Sequence, residues 1–255
     1  MAKQIAKIAG VKLMDVGYSG LKDRRALTRQ WFRVYLPKPQ DIDWSQLNCE
    51  TRQFHKASRH PQQLRRGQHQ SNQFIIRLRD VQGDAGAIYQ RLQTIAARGV
   101  PNYFGSQRFG HAGSNLERAL EMFAGRRVKR EQRGHYLSAD RSMLFNRVLS
   151  ARVHAGNWNR LLDGEICMLA GSRGFFASEA IDAQLEQRLL VKDIHPSGPL
   201  WGKGELPSRD SAREFETTAL GGLSEWCDGP EKAGLKMERR SQAPPFSVTP
   251  SRPHD

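Results

Sequence analysis

Acidic residues are in short supply in this chain. Its 255 residues include 26 Asp and Glu against 40 Lys and Arg, a formal net charge of +14. Such an excess attracts polyanions and speeds their capture. Cysteine is scarcer still. Cys49, Cys167 and Cys227 lie far apart with no Cys-x-x-Cys pair, which excludes a zinc knuckle and a dithiol redox motif. Their odd number argues for a reducing compartment. The start, Met1-Ala2-Lys3-Gln4-Ile5, opens no long apolar run. Neither a signal peptide nor a transmembrane span is therefore expected, and the cytoplasm is the expected location. No long amphipathic basic helix stands out, which disfavours a membrane-surface protein.

Several catalytic signatures are missing as well. No Gly-x-Ser-x-Gly elbow supports a serine hydrolase. Gly202-Lys203-Gly204 lacks both the leading spaced glycine and the following Ser or Thr of a phosphate-binding loop. His55, His60 and His69 have neither helical metal-ligand spacing nor a carboxylate pattern beside them, and read as ordinary loop histidines.

What the chain does have is length for one large domain or two small ones, and 38% hydrophobic residues, enough to form a core. Its basic residues are mostly arginine, as in Arg24-Arg25, Arg65-Arg66, Arg126-Arg127 and Arg239-Arg240. Guanidinium forks suit phosphate and stack on bases. The Arg126-Arg127-Val128-Lys129-Arg130 run reads either as a solvated face or as an RNA contact.

Residues 2–9, with Ile5 and Ile8 on one face, read as the end of a helix with Gly10 at its C-cap. Phe32, Val34 and Leu36 alternate with Trp31, Arg33 and Tyr35, which predicts a strand ended by Pro37 and Pro39. Phe74, Ile76 and Leu78 alternate with Arg77 and Arg79, which predicts a second, half-buried strand with a cationic outer face. Ile88, Leu92 and Ile95 predict a helix stopping at Gly99. Asn102 to Gly110 is a turn-rich aromatic and basic loop. Ser114 with Glu117 predicts a capping box for a helix carrying Leu116, Leu120 and Phe123. Ser138 is expected to cap another with Leu144, Val148 and Ala151, and Leu185 with Leu189 marks a third. Strands lead the first part and helices the second. The class is therefore α+β, with a composition break near Arg98. Beyond Arg240 the proline-rich text reads as a disordered or frameshifted tail over 241–255.

Asp23 sits in a glycine-preceded turn beside Lys22, Arg24 and Arg25. Neighbouring cations favour an ionised carboxylate, and an ionised carboxylate beside phosphate-binding groups suits nucleophilic attack on a nucleoside. The plain alternative is a turn or N-cap aspartate.

The stretch Gly17-Tyr18-Ser19-Gly20-Leu21-Lys22-Asp23-Arg24-Arg25-Ala26-Leu27-Thr28-Arg29-Gln30 resembles the signature of the TruD family of tRNA pseudouridine synthases, Gly-Leu-Lys-Asp-Arg, a small residue, then Thr-x-Gln. Asn72-Gln73-Phe74 is similar to the family's Asn-x-Phe. Asn102 to Gly110 is similar to its Asn-Tyr-Phe-Gly-x-Gln-Arg-Phe-Gly run, and Ser138 to Asn146 to a further family stretch. These blocks run in family order from about Gly10 to Arg240.

The resemblance implies a partial pseudouridine-synthase catalytic domain over 1–97, interrupted by a TruD-specific, mostly helical inserted domain over 98–240. It implies a reaction that breaks the N-glycosidic bond of uridine, turns the uracil and rejoins it through C5, at uridine 13 in the D-arm of tRNA. It implies no metal or organic cofactor, a monomer, and no membrane. Asp23 matches the catalytic aspartate, which attacks the ribose or assists its 2′-deprotonation. Phe74 matches the aromatic that stacks on the target base; its other reading is a core strand residue. Asn72 matches a residue that positions the site by orienting Asp23. Lys22 and Arg24 are expected to hold phosphate or orient Asp23, and Gln107 and Arg108 to contact tRNA. Family members open with a Phe-x-Val-x-Glu strand and close with a return strand and helix. Neither is found here, so truncation at both ends is expected. The competing readings are a basic RNA-binding fragment without turnover and an unrelated structural RNA binder.

Overall fold

The computed structural model describes residues 1–20, 22–23, 26–38, 40–61, 64 and 73–243. Contacts divide it into two compact units, Met1–Asp80 and Val81–Asp255.

The first unit is built on helix α1 (Ala2–Ile8) and the antiparallel pair β1 (Val16–Tyr18) and β2 (Phe32–Val34). Ile5 and Ala6 are buried against Val16 and Leu47, with Ile8, Phe32, Val34, Trp44 and Phe54 packed around them. That apolar seam explains why so short a helix holds, since an isolated helix of this length is unstable in water. Gly10 follows the helix in the left-handed region (φ +64), where glycine carries no penalty. A 3-10 turn over Trp44–Leu47 is capped by Asp43, whose carboxylate accepts from the Ser45 N–H at 3.0 Å. The Ser45 hydroxyl first, and then that backbone bond, hold the Asp43 carboxyl below its usual range.

The second unit opens with α2 (Ala85–Arg98), started by Asp84 and ended by Gly99 at φ +78. Then come α3 (Ser114–Phe123), the long α4 (Arg130–His154), β3 (Ile166–Leu169), β4 (Phe175–Ala177), α5 (Ala183–Leu190), β5 (Ile194–Leu200), α6 (Asp210–Ala219), α7 (Ser224–Lys232) and β6 (Glu238–Ser241). The four strands form one antiparallel sheet in the order β4-β3-β5-β6. Helix α4 lies against β5, and α3, α6 and α7 pack against α4. Leu144, Val148 and Leu220 are buried there among Met143, Trp201, Leu223 and Trp226.

Two buried ion pairs tie this unit together. Arg152 Nη1 meets Glu165 Oε2 at 2.7 Å, and its Nη2 donates to the carbonyls of Asn157 and Arg160 at 3.0 and 2.6 Å. Arg239 holds Glu216 with two bonds, 2.6 and 3.1 Å, and donates to the Ser197 hydroxyl and carbonyl at 2.9 and 2.6 Å. The bonds offset the cost of burying these charges only in part, since Arg152 Nε and Glu165 Oε1 have no hydrogen-bond partner.

Several expectations change. The alternating segment from Phe74 to Leu78 is not a strand, and Phe74, Ile76 and Leu78 are 77%, 76% and 62% exposed. Alternation prepares a face, but ladder hydrogen bonds come from a neighbour, and none of the described strands pairs with this segment. Ser114 does not cap α3. It lies inside the helix, and Gly113, left-handed at φ 80, takes the cap position without a side-chain bond. Ser138 is interior to α4, which begins eight residues earlier at Arg130. Past Arg240 the ordered chain continues: Ser241 pairs with Ser197, and Gln242 is fully buried. Residues 244–255 lie outside the described ones.

Candidate functional site

Val16 stands opposite Val34 and Tyr18 opposite Phe32, so β1 and β2 form the stem of a hairpin whose loop carries Asp23. The apolar seam under α1 fixes this register, because a one-residue slip would turn both valines away from Ile5. The neck of the loop is tied. Gln30 Nε2 donates to the Gly20 carbonyl, and the Tyr18 and Phe32 rings meet with centroids 5.9 Å apart. Just below, the Tyr35 N–H donates to the Asp15 carbonyl at 2.9 Å. A Cβ on Gly17 would stand 2.7 Å from the Leu64 carbonyl, so only glycine lets the chain cross β1 at backbone distance. The stem is thus rigid, while Lys22 and Asp23 are exposed above it.

Of the other expected site residues, Arg24 and Asn72 lie outside the described residues. Phe74 is largely exposed, which sets aside its reading as a core residue. Gln107 and Arg108 lie in the second unit, in a 3-10 turn over Ser106–Phe109, both exposed.

The Asn102–Gly110 segment is clamped onto the second unit. Asn146 of α4 accepts from the Phe104 N–H at 2.9 Å and donates to the Phe104 carbonyl at 3.0 Å, so one side chain completes the backbone bonding of a residue in no strand. Asn102 donates from its backbone to the Gln242 carbonyl at 2.9 Å and from its amide to the Ser241 carbonyl at 2.7 Å. The Phe104 ring meets Phe145 edge-on at 5.6 Å. Two guanidiniums also approach it, Arg240 at 4.1 Å and Arg108 at 5.1 Å from the centroid. Arg108 further donates to the Ser138 hydroxyl at 3.0 Å. Burial, then the charge of Arg108, lowers the Arg240 pKa from its ordinary value.

Among the described residues no group of three or more His, Cys, Asp or Glu is placed to hold a metal ion, and no helix is long and apolar enough to cross a membrane. His69 lies outside the described residues.

Comparison with known proteins now bears on these motifs. The model of the family described as tRNA pseudouridine synthase D (TruD) matches residues 1–117 and 111–223. The chain belongs to the TruD family. It is 48% identical over 244 residues to the tRNA pseudouridine synthase D of Nitrosococcus oceani, covering 94% of this chain and 68% of that protein. It is 46% identical over 243 residues to the protein of the same name from Methylococcus capsulatus, covering 94% and 69%. A TruD crystal structure from Methanosarcina mazei shares the fold, with a TM-score of 0.67 at 18% identity, covering 95% of this chain and 74% of that one. The first TruD match takes in the Asp23 loop, the Phe74 segment and the Gln107–Arg108 turn, and the second runs from α3 through α6.

Sequence reasoning missed three working side chains, two of them within these TruD stretches and one beyond Leu223. Gln30 ties the loop neck, Asn146 clasps Phe104, and Arg240 stacks on it. Gln30 and Asn146 stood inside the quoted motifs, so their motif positions were the available signal. Arg240 was visible only as one of several arginine pairs.

Proposed function

We propose that this TruD chain isomerises uridine to pseudouridine in tRNA, at uridine 13 of the D-arm, with Asp23 as the carboxylate that acts on the ribose. The N1–C1′ bond breaks, the uracil turns, and a C5–C1′ bond forms as the C5 hydrogen leaves as a proton and the freed N1 takes one up. Atoms balance with no oxidant, reductant or cofactor. The observation that carries this reading is the placement of Asp23, exposed beside Lys22 on a loop whose neck is held by Gln30 and Gly20. A rigid stem under an accessible carboxylate is what positioning a nucleophile on a large substrate requires.

The remaining roles follow. Phe74, with its ring uncommitted to a core, stacks on the extruded uracil, a contact of about 1–3 kcal/mol. Asn72 orients Asp23. Lys22 and Arg24 hold phosphate, and Gln107 and Arg108 contact the tRNA. Residues 1–97 form part of the catalytic domain and 98–240 the family's inserted domain, as the family resemblance implies, while the contacts divide the chain earlier, between Asp80 and Val81. The protein acts as a monomer in the cytoplasm, where its three unpaired cysteines would remain reduced.

The test incubates the chain with an unmodified tRNA transcript and maps pseudouridine chemically. One modified site, at position 13, is expected. A folded chain that binds tRNA yet makes no pseudouridine would leave the RNA-binding fragment as the correct reading.

A further inference from the structure

The clamp on Phe104 has a second consequence. Because its ring turns inward onto Phe145, the preceding residue, Tyr103, turns outward and is 42% exposed. Beside it, between the motif segment, α3 and α4, lies an open hollow of about 310 Å³ lined by Tyr103, Phe109, Leu116, Met143, Arg147 and Ser150. Its walls are fixed from behind, since Asn146, which also reaches it, is occupied by both backbone groups of Phe104. The volume is at the lower end of the range of roughly 300–1,000 Å³ for small-molecule sites, enough for one flat heterocycle.

The chemistry of the lining selects among occupants. No lining residue is acidic, and the cation is Arg147, exposed on α4 one turn beyond Met143. Apolar and aromatic walls beside one guanidinium match the planar base of a nucleotide whose backbone phosphate lies within reach. An apolar peptide side chain would make no use of Arg147. The charge of the whole chain, +14, favours the same polyanion.

We infer that this hollow receives one unpaired base of the bound tRNA, separate from the uridine that reaches Asp23, with Tyr103 stacking on the base and Arg147 holding its phosphate. This rests on the proposed function, because it takes tRNA as the substrate.

The test measures the affinity of the full chain for an unmodified tRNA transcript and for a continuous RNA duplex of equal length. Tyr103→Ala should weaken tRNA binding by roughly 5- to 150-fold, the equivalent of one lost base stack, and leave duplex binding unchanged. Tyr103→Phe should retain wild-type affinity, since the stacking face survives. Arg147→Gln should weaken tRNA binding and reduce the salt slope by about 1, whereas Tyr103→Ala should leave that slope alone. Phe175→Ala removes a somewhat more exposed ring (51%) outside the hollow and should change nothing. Circular dichroism confirms that each variant is folded. Equal tRNA affinity for wild type and Tyr103→Ala would overturn the base site while leaving the proposed function intact. Equal losses in Tyr103→Ala and Phe175→Ala would overturn it as well. A wild-type dimer that dissociates in Tyr103→Ala at unchanged tRNA affinity would assign the hollow to a second copy instead. A folded wild type that fails to bind tRNA at low salt would overturn the proposed function itself.

Discussion

Replacing Asp140 with asparagine should remove the fall in the second unit's stability that this one carboxyl contributes between about pH 5 and 8. Asp140 lies in α4 with 0% exposure, and neither carboxylate oxygen has a hydrogen-bond partner. Burial pushes its pKa up to about 8, against the opposing pull of Arg141. In the unfolded chain the same group titrates near 3.9. Between those values the folded protein holds a proton that the unfolded chain has released. Stability is therefore fully present below about pH 4 and falls as pH rises, by at most about 1.4 kcal/mol per pH unit, until the folded group ionises near pH 8. From pH 5 to pH 8 the ceiling is about 4 kcal/mol, a large share of the total for a domain this size. Cys227, whose pKa is raised to about 12 first by burial and then by Asp140 among nearby carboxylates, stays a thiol throughout and adds no slope. Urea unfolding followed by the helical circular dichroism signal reads this unit, because α2 to α7 all belong to it. The difference between wild type and Asp140→Asn cancels the histidines. A difference between the two proteins that stays constant over this window would refute the reasoning.

Other perturbations follow from the packing. Arg152→Ala should cost about 3–5 kcal/mol by leaving the buried Glu165 carboxyl, its pKa already pushed up by burial, without its ion-pair partner. Arg126→Ala, which loses only an exposed pair with Glu121, should cost less than about 1 kcal/mol in the same denaturation assay. Gly229→Ala would place a Cβ 2.3 Å from the Phe123 ring, and should cost about 1–3 kcal/mol and lower the thermal midpoint. The logarithm of tRNA affinity should fall linearly with the logarithm of salt concentration, with a slope of about −0.9 for each phosphate neutralised on duplex stems.

Much of the first unit was legible because its signals are local. Ile5, Ile8 and Gly10 announce α1, and Phe32 with Val34 announces β2. The helices from Ile88 and Leu185 were readable for the same reason. The sheet of the second unit was not. β3 is the uniform run Ile-Cys-Met-Leu, with no alternation. β5 contains Pro196 and Pro199, residues that argue against a central strand because they lack an N–H, yet the Pro196 carbonyl still accepts from Gln242 at 2.9 Å. β6 reads Glu-Arg-Arg-Ser and looks wholly solvated, but Arg239 is buried against Glu216, which lies 23 residues earlier. A partner so distant leaves no periodic trace. The Phe74 segment failed the other way, since its alternation is strong and its strand partner is missing among the described residues. At the candidate site, the motifs marked Asp23, Phe74 and the Gln107–Arg108 turn. The ties that hold them, Gln30 to Gly20 and Asn146 to Phe104, became visible only in three dimensions.

The central claim is that the Asp23 carboxylate carries the chemistry. Pseudouridine formation must expel the hydrogen from uracil C5, so a tRNA transcript labelled with tritium at C5 of its uridines reports turnover directly as label released to water. The wild-type chain should release the equivalent of one uridine per tRNA. Asp23→Asn should bind the same tRNA with unchanged affinity and release none above the protein-free background. Equal release from the two proteins would contradict the account and move the reaction to another group.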